Sequence, residues 1–229
     1  MILETRHSIP EILSRQPLFR VLGGMELVAL SQATLEYRVR HGEMLFQKGE
    51  AARGMHLVVA GQVKLFLPAD NGSDKVVLMA GPGDSFGDES AFLDKPYPVA
   101  AEACKESIVL LLDKAALIAA VEANAALARA IMARLCTRFC DLVENMETCV
   151  QRSSDQRVVH YLTQLAPAQA DAFEVRLDTN KQTIASQLNL APETFSRVLG
   201  RLAKAGFIRV HGRTITVMQA NALRGYAAC

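Results

Sequence analysis

The chain has 229 residues, half of them apolar and 21% charged, which suits two ordinary domains with real cores. Its 25 Lys/Arg and 24 Asp/Glu nearly cancel, and no run of about 18 apolar residues is present to cross a membrane. The opening MILETRHSIPEILSRQPLF is broken by charge and proline, unlike a secretory leader, so the five cysteines are expected as reduced thiols in the cytoplasm.

Residues 1–33 read as short amphipathic helices, 9–19 and then 24–33, with Leu27, Val28 and Leu30 available to a core. From about Leu35 the period becomes two. Residues 37–40, 44–46, 56–60, 63–66, 75–80 and the stretch 100–112 are predicted strands. Turns separate them at His41-Gly42-Glu43, Lys48-Gly49-Glu50, Gly61-Gln62, Asp70-Asn71-Gly72-Ser73 and Gly81-Pro82-Gly83-Asp84. Short strands at this spacing indicate an antiparallel barrel or jelly roll.

A helical run without Gly or Pro follows, from about 124 to 150. Leu135, Phe139, Leu142, Met146 and Cys149 recur along it at spacings of four, three, four and three, a narrow apolar seam of coiled-coil type. Such a seam could pack on its own barrel, but its length and period predict a symmetric helix pair and hence a homodimer. Ser153-Ser154-Asp155 is the expected hinge and N-cap before a helix at 156–165.

Residues 179–217 then read TNKQTIASQLNLAPETFSRVLGRLAKAGFIRVHGRTITV. A short helix at 181–188 meets the turn Asn189-Leu190-Ala191, and a second helix opens at Pro192, where a missing N–H costs nothing. The segment after Lys204 alternates around a central glycine like a β-hairpin. The order is that of a winged helix-turn-helix, whose second helix enters the DNA major groove.

Charge agrees. From Thr194 onward there are six Lys/Arg and no Asp or Glu, while the preceding 193 residues carry 19 basic against 24 acidic. The basic end suits the phosphates of double-stranded DNA. The expected architecture is α+β: an antiparallel barrel or jelly roll at 1–122, a dimerisation helix at 123–152 and a winged helix-turn-helix DNA-binding domain at 153–229.

On the second helix, Glu193 can accept from a cytosine N4 amino group and Arg197 can donate twice to guanine O6 and N7. Ser196 is small enough for close approach and can touch a base edge. Thr194, Lys181, Gln182, Arg201, His211 and Arg213 are candidates for contacts to the DNA backbone. A dimer presenting two such helices reads a palindrome with half-sites about one helical turn apart.

No G-x-S-x-G, HExxH, Walker or GxGxxG motif is present, so the chain is not expected to be an enzyme. Cys136 and Cys140 share a helix face, with Cys149 further along, and could take a metal or sense oxidation. Cysteine on a packed helix is more often a small hydrophobe, and no histidine or carboxylate stands at ligand spacing, so no metal site is expected. A ligand-storage or interaction module that does not read DNA is the alternative of a different class. It would bind random and palindromic duplexes alike.

The order of roll, long helix, hinge and winged helix-turn-helix resembles the CRP/FNR family of transcription regulators across almost the whole chain. Pro192-Glu193-Thr194-Phe195-Ser196-Arg197 resembles the start of that family's recognition helix. Gly83-Asp84-Ser85-Phe86-Gly87-Asp88 resembles its glycine-bounded segment over the effector pocket. Arg157-Val158-Val159…Tyr161-Leu162 together with PETFSRVLGRL is most similar to the dissimilatory nitrate respiration (Dnr) group.

The resemblance implies a cyclic-nucleotide-binding-like roll, TTGAT-like half-sites, activation of transcription and RNA polymerase as a partner. It also implies an effector pocket formed by Phe86, Gly87 and Asp88 with Leu142 and Val143 of the helix. Members that bind cyclic AMP have a Glu followed ten residues later by Arg-Ser, and a Thr-Ser on the dimer helix. Asp88, Pro98-Val99 and Leu142-Val143 stand at those positions here, so no cation along the segment faces a phosphate and cyclic AMP is not expected. Residues 1–33 contain no cysteine, which speaks against the family's iron–sulfur centre. The Dnr-like resemblance implies nitric oxide sensing through haem, for which His7, His41, His56 and Met146 are candidate axial ligands. Apolar Leu142 and Val143 would suit such a cofactor and would equally suit a plain core.

Overall fold

A computed structural model describes residues 8–69, 74–167, 170–177 and 179–226, with backbone only across 144–151. Two compact units, 1–138 and 139–229, share one long helix.

The first unit opens with α1 (Ile9–Arg15), a single 3-10 turn (Pro17–Phe19) and α2 (Gly24–Gln32). The strands are β1 (Thr34–Val39), β2 (Met44–Phe46), β3 (Gly54–Ala60), β4 (Val63–Leu67), β5 (Lys75–Ala80), β6 (Ser85–Phe86), β7 (Ala100–Ala103) and β8 (Ser107–Asp113). They form two antiparallel four-stranded sheets, ordered β1-β8-β3-β6 and β2-β7-β4-β5. This is the β-roll expected from the strand spacing. The turn predicted at 70–73 lies outside the described residues.

Between the sheets lie Val39, Phe46, Val58, Val63, Leu65, Phe86, Tyr97 and Val109. The outer face of the first sheet is also buried. Met55, Leu57, Leu110 and Leu112 pack there against Leu13, Phe19, Leu30, Leu117, Leu127 and Ile131. The elements that supply these residues are α1, the 3-10 turn, α2, α4 (Lys114–Ala123) and the start of α5 (Ala125–Gln151). Asp113 caps α4, accepting from Ala115 and Ala116 N–H at 2.9 and 3.1 Å. Asn124 does the same for α5, accepting from Ala126 and Leu127 N–H. No single helix is long and apolar enough to cross a membrane among the described residues.

The seam predicted on α5 needs correction. Leu135 packs against the roll's outer core, one turn beyond Ile131, so it serves its own subunit. The large apolar side chains left exposed are Met132, Phe139, Leu142 and Val143, and Cys136 is exposed with them. Met132, Cys136, Phe139 and Val143 follow one another by four, three and four, a heptad stripe that shares Phe139 with the predicted seam, while Leu142 of that seam is exposed beside it. The side chains of Met146 and Cys149 lie outside the described residues.

The second unit holds α6 (Ser154–Gln164), β9 (Phe173–Arg176), α7 (Lys181–Gln187), α8 (Pro192–Lys204), β10 (Ile208–His211), β11 (Thr214–Val217) and α9 (Ala220–Tyr226). Its sheet is ordered β10-β11-β9, so the wing has a third strand that the sequence reading did not contain. Ser153 caps α6 reciprocally: its hydroxyl accepts from Gln156 N–H, and the Gln156 amide oxygen accepts from Ser153 N–H. Val158, Val159, Leu162, Ile184, Phe195, Val198, Leu199 and Leu202 form the core on which the wing strands close.

Candidate nucleic-acid interface and effector corner

The tight turn between α7 and α8 is built by Asn189, which takes φ 57°, a left-handed value asparagine tolerates. Leu190 N–H donates to Ala185 C=O at 2.8 Å and Asn189 N–H to Ser186 C=O at 3.1 Å, a Schellman termination of α7. α8 then starts at Pro192 with Ala191 as its extended N-cap residue.

Along α8, Phe195, Val198, Leu199 and Leu202 are buried. Their 3.6-residue periodicity leaves Glu193, Ser196, Arg197 and Gly200 exposed together on the opposite face. Arg197 Nη2 donates to Thr194 Oγ1 at 3.1 Å, so Thr194, half-buried, steers the guanidinium as well as standing near the helix start. Gln182, His211 and Arg213 are exposed and Lys181 is half-buried. Gly212, at φ 60°, turns β10 into β11 between His211 and Arg213. Arg201 is exposed but is bound to Asp155 of α6, which raises its pKa through that hydrogen bond and charge.

One further contact ties α6 to the α7–α8 turn. Arg157 of α6 donates from Nη1 to Leu188 C=O at 3.0 Å and Asn189 C=O at 2.9 Å. Neither carbonyl is an acceptor of the Schellman turn, which uses Ala185 and Ser186.

In the first unit, Gly87 takes φ 79° and admits α3 (Asp88–Leu93) after β6. A side chain there would meet Tyr97 at 3.1 Å and His56 Nδ1 at 3.4 Å. Phe86 is buried in the roll core, and Asp88 is completely buried. Two arginines of α5 come to this corner. Arg138 Nη1 pairs with Asp88 Oδ1 at 2.8 Å, and Arg134 Nη2 donates to Ser85 C=O at 3.1 Å. Cations therefore do reach the segment, from the helix and not from the strand position at Pro98-Val99 where the sequence reading looked for one. Both already have a protein partner.

Three buried polar atoms at this corner have no hydrogen-bond partner: Ser85 Oγ, Asp88 Oδ2 and Arg134 Nε. Burial lowers the pKa of Arg134, with Arg138 adding repulsion. Burial likewise raises the carboxyl pKa of Glu89, and neighbouring Asp88 adds to the rise. Leu142 and Val143, expected to complete the pocket, belong to the second unit and are exposed, at 53% and 48%.

Haem does not fit His56 as it is packed. His56 is buried inside the roll, its ring parallel to Phe86 at 5.0 Å and tilted against Phe46 at 5.1 Å. Burial, with help from Arg53, pushes its pKa down to about 3. It lines a cavity of about 240 Å³ with Tyr37, Phe46, Arg53, Tyr97 and Leu111. That is below the ~300–1,000 Å³ of ordinary small-molecule sites, and a macrocycle would have to unstack these rings to reach the imidazole. His41 is exposed on a turn, while His7 and the Met146 side chain lie outside the described residues.

Residues 36–124 match the cyclic nucleotide-binding domain family, and residues 156–226 match the Crp-like helix-turn-helix domain family. A CRP-like cAMP-activated global transcriptional regulator of Mycobacterium tuberculosis is 24% identical over 217 residues, covering 93% of this chain and 97% of that protein. The transcriptional activator protein anr of Pseudomonas aeruginosa is 27% identical over 184 residues, covering 79% and 75%. Among solved structures, FixK2 from Bradyrhizobium japonicum is similar at 25% identity and TM-score 0.73, covering 86% of this chain and 98% of that one. DNR from Pseudomonas aeruginosa is similar at 28% identity and TM-score 0.51, covering 98% and 100%.

Proposed function

Because the chain belongs to the CRP/FNR family of transcription regulators, an effector-responsive and DNA-binding family, we propose that it acts as a homodimer on palindromic, TTGAT-like operators. It activates transcription there through contact with RNA polymerase, a reading supported by its likeness to the anr activator. Glu193, Ser196 and Arg197 read the bases. Lys181, Gln182, His211 and Arg213 hold the DNA backbone, and Thr194 orients Arg197.

The observation that carries the reading is the solvent-facing cluster of Glu193, Ser196, Arg197 and Gly200 on a helix whose other face is fully buried. Enrichment of duplexes from a random pool by the full-length protein tests it. A palindrome with two half-sites about one helical turn apart is expected. Recovery of no common sequence would overturn the reading in favour of an interaction module.

The effector is a small polar molecule that satisfies Ser85 Oγ, Asp88 Oδ2 and Arg134 Nε, atoms otherwise buried without a partner. Such a ligand offers a donor to the carboxylate and an acceptor to the guanidinium. In engaging them it competes with the Asp88–Arg138 pair and shifts α5 between two states of different ligand affinity. Operator affinity measured with and without cyclic AMP, and with haem in the presence and absence of nitric oxide, separates the candidates. Haem-based sensing rests on the resemblance to the Dnr group, and absence of a Soret band at stoichiometric haem would remove it. Equal operator affinity in wild type and Arg134→Met under every condition would remove the switch.

A further inference from the structure

We infer that Arg157 is the positioning residue of the reading helix: it fixes the angle between α7 and α8 without touching DNA. The inference rests on the DNA-reading function proposed above.

The last carbonyls of a helix lack intrahelical donors. In α7 the Schellman turn satisfies Ala185 and Ser186, leaving Leu188 C=O and Asn189 C=O directed away from the helix. These two carbonyls flank the residue at φ 57° on which the whole turn pivots. Arg157 comes from 31 and 32 positions earlier in the chain and binds both through one nitrogen, Nη1, at 3.0 and 2.9 Å. It is a charged donor at the negative end of a helix, the arrangement that the helix dipole favours. Its Nε is buried without a partner, so the guanidinium is held there despite an unsatisfied N–H.

The pivot matters because α8 follows it within three residues, Leu190, Ala191 and Pro192. Both acceptors are main-chain carbonyls, so the clamp acts on the backbone of the turn itself. Without the clamp, α7 and α8 still share the core through Ile184, Phe195 and Val198. The fold therefore persists while the turn gains freedom. A reading helix that can rock keeps its phosphate contacts, which tolerate displacement, and loses base contacts, which do not. Arg157 also stands four residues after the capping residue Ser153, so it ties the reading turn directly to the first turn of α6.

The test uses full-length wild type, Arg157→Met and Arg157→Lys. Wild type first selects its operator from a pool of random duplexes, and each protein is then titrated against that operator and a scrambled duplex. Arg157→Met is expected to lose about tenfold in discrimination between them, most of it in operator affinity, with scrambled-duplex binding and its salt dependence unchanged. Arg157→Lys, which still presents charged donors, should recover part of that loss. Amide exchange should quicken at residues 188–193 in Arg157→Met and not in the buried face of α8.

Equal discrimination by wild type and Arg157→Met overturns the inference while leaving the DNA-reading function intact. Equal loss on both duplexes also overturns it, since that marks a general weakening of the domain. If Arg157→Met does not fold, the decision passes to Arg157→Lys: a partial loss of discrimination with quickened exchange at 188–193 supports the clamp, while unchanged discrimination, or lost discrimination without quickened exchange there, overturns it. Failure of wild type to select any sequence sinks the reading and the inference together.

Discussion

Gly200 stands on the exposed face of α8, one turn beyond Ser196 and Arg197, and nothing lies within 4 Å of the place its Cβ would take. Glycine inside a helix costs about 0.5–1 kcal/mol relative to alanine, and no packing in the protein requires it here. Gly200→Ala should therefore raise the stability of the domain by about that amount in urea unfolding, while weakening operator binding by crowding the helix against DNA. A variant that is both more stable and unimpaired in binding would show that the glycine has no role at the interface. Arg197→Ala is expected to cost ~1–3 kcal/mol of operator affinity and relax preference at one base pair, as read by titrating single-base variants.

His56 gives a pH prediction. Its folded pKa, about 3, is below its ordinary 6.5, so the unfolded chain binds more protons between those values. Stability is then fully present above about pH 6.5 and falls as pH drops toward about 3, by up to ~1.4 kcal/mol per pH unit from this group. His56→Phe keeps an aromatic ring in the stack and should flatten that part of the stability–pH curve. At this scale, side chains exposed on one helix were legible from spacing alone. Arg134, Arg138 and Arg157 were not, because their partners stand 49, 50 and 31 residues away and no local pattern announces them.

Among elements, the short link between α5 and α6 depends on its cap. Only Arg152 and Ser153 separate Gln151 from Ser154, and neither is Gly or Pro. The Ser153 capping box is therefore the local reason that α6 begins anew, and Ser153→Ala should cost about 0.5–2 kcal/mol in thermal or urea unfolding. At α2 only half of that arrangement exists: Gly23 N–H donates to the Glu26 carboxylate and lowers its pKa, and glycine has no side chain to return the bond.

The elements also explain which parts of the fold the sequence could not convey. β3 and β8 are buried on both faces, by helices on one side and the opposing sheet on the other, so they read as continuous apolar runs without a face to assign. α4 did carry a signal, Asp113 before the run KAALIAAVEA, in the stretch between the strands predicted to 112 and the helix predicted from about 124, to which no element was assigned. β6 and β9 span two and four residues, too short for a period to declare itself, and their pairing comes from the sheet they join. α5 carries two apolar stripes, one toward the roll through Leu127, Ile131 and Leu135, the other exposed through Met132, Phe139 and Val143 with Cys136 and Leu142 beside them, and the predicted seam drew Leu135 from the first and Phe139 and Leu142 from the second.

That second stripe bears on the whole molecule. Its large side chains are left 48–67% exposed, an arrangement that a symmetric partner helix would bury. Phe139→Glu is expected to move the protein toward monomer in sedimentation velocity at micromolar concentration and to abolish cooperative occupancy of the two half-sites. A variant that remains dimeric would place the interface elsewhere. The charge division, six basic residues without acids after Thr194 against an acidic remainder, should make the association rate with operator fall steeply with salt, whereas dissociation responds less.

The aromatic stack in the roll gives the molecule an optical signature of its own. The chain contains no tryptophan and only four tyrosines, and Tyr97 is the one pressed between the roll core and Gly87, 3.8 Å from Phe46 in a stacked pair. Its phenol is buried and its pKa raised, so it ionises after any unshifted tyrosine in an alkaline absorbance titration. Near-ultraviolet circular dichroism and the alkaline end of the tyrosine titration thus carry a contribution from the corner where β6 meets α3, without a label and without a dominant indole background.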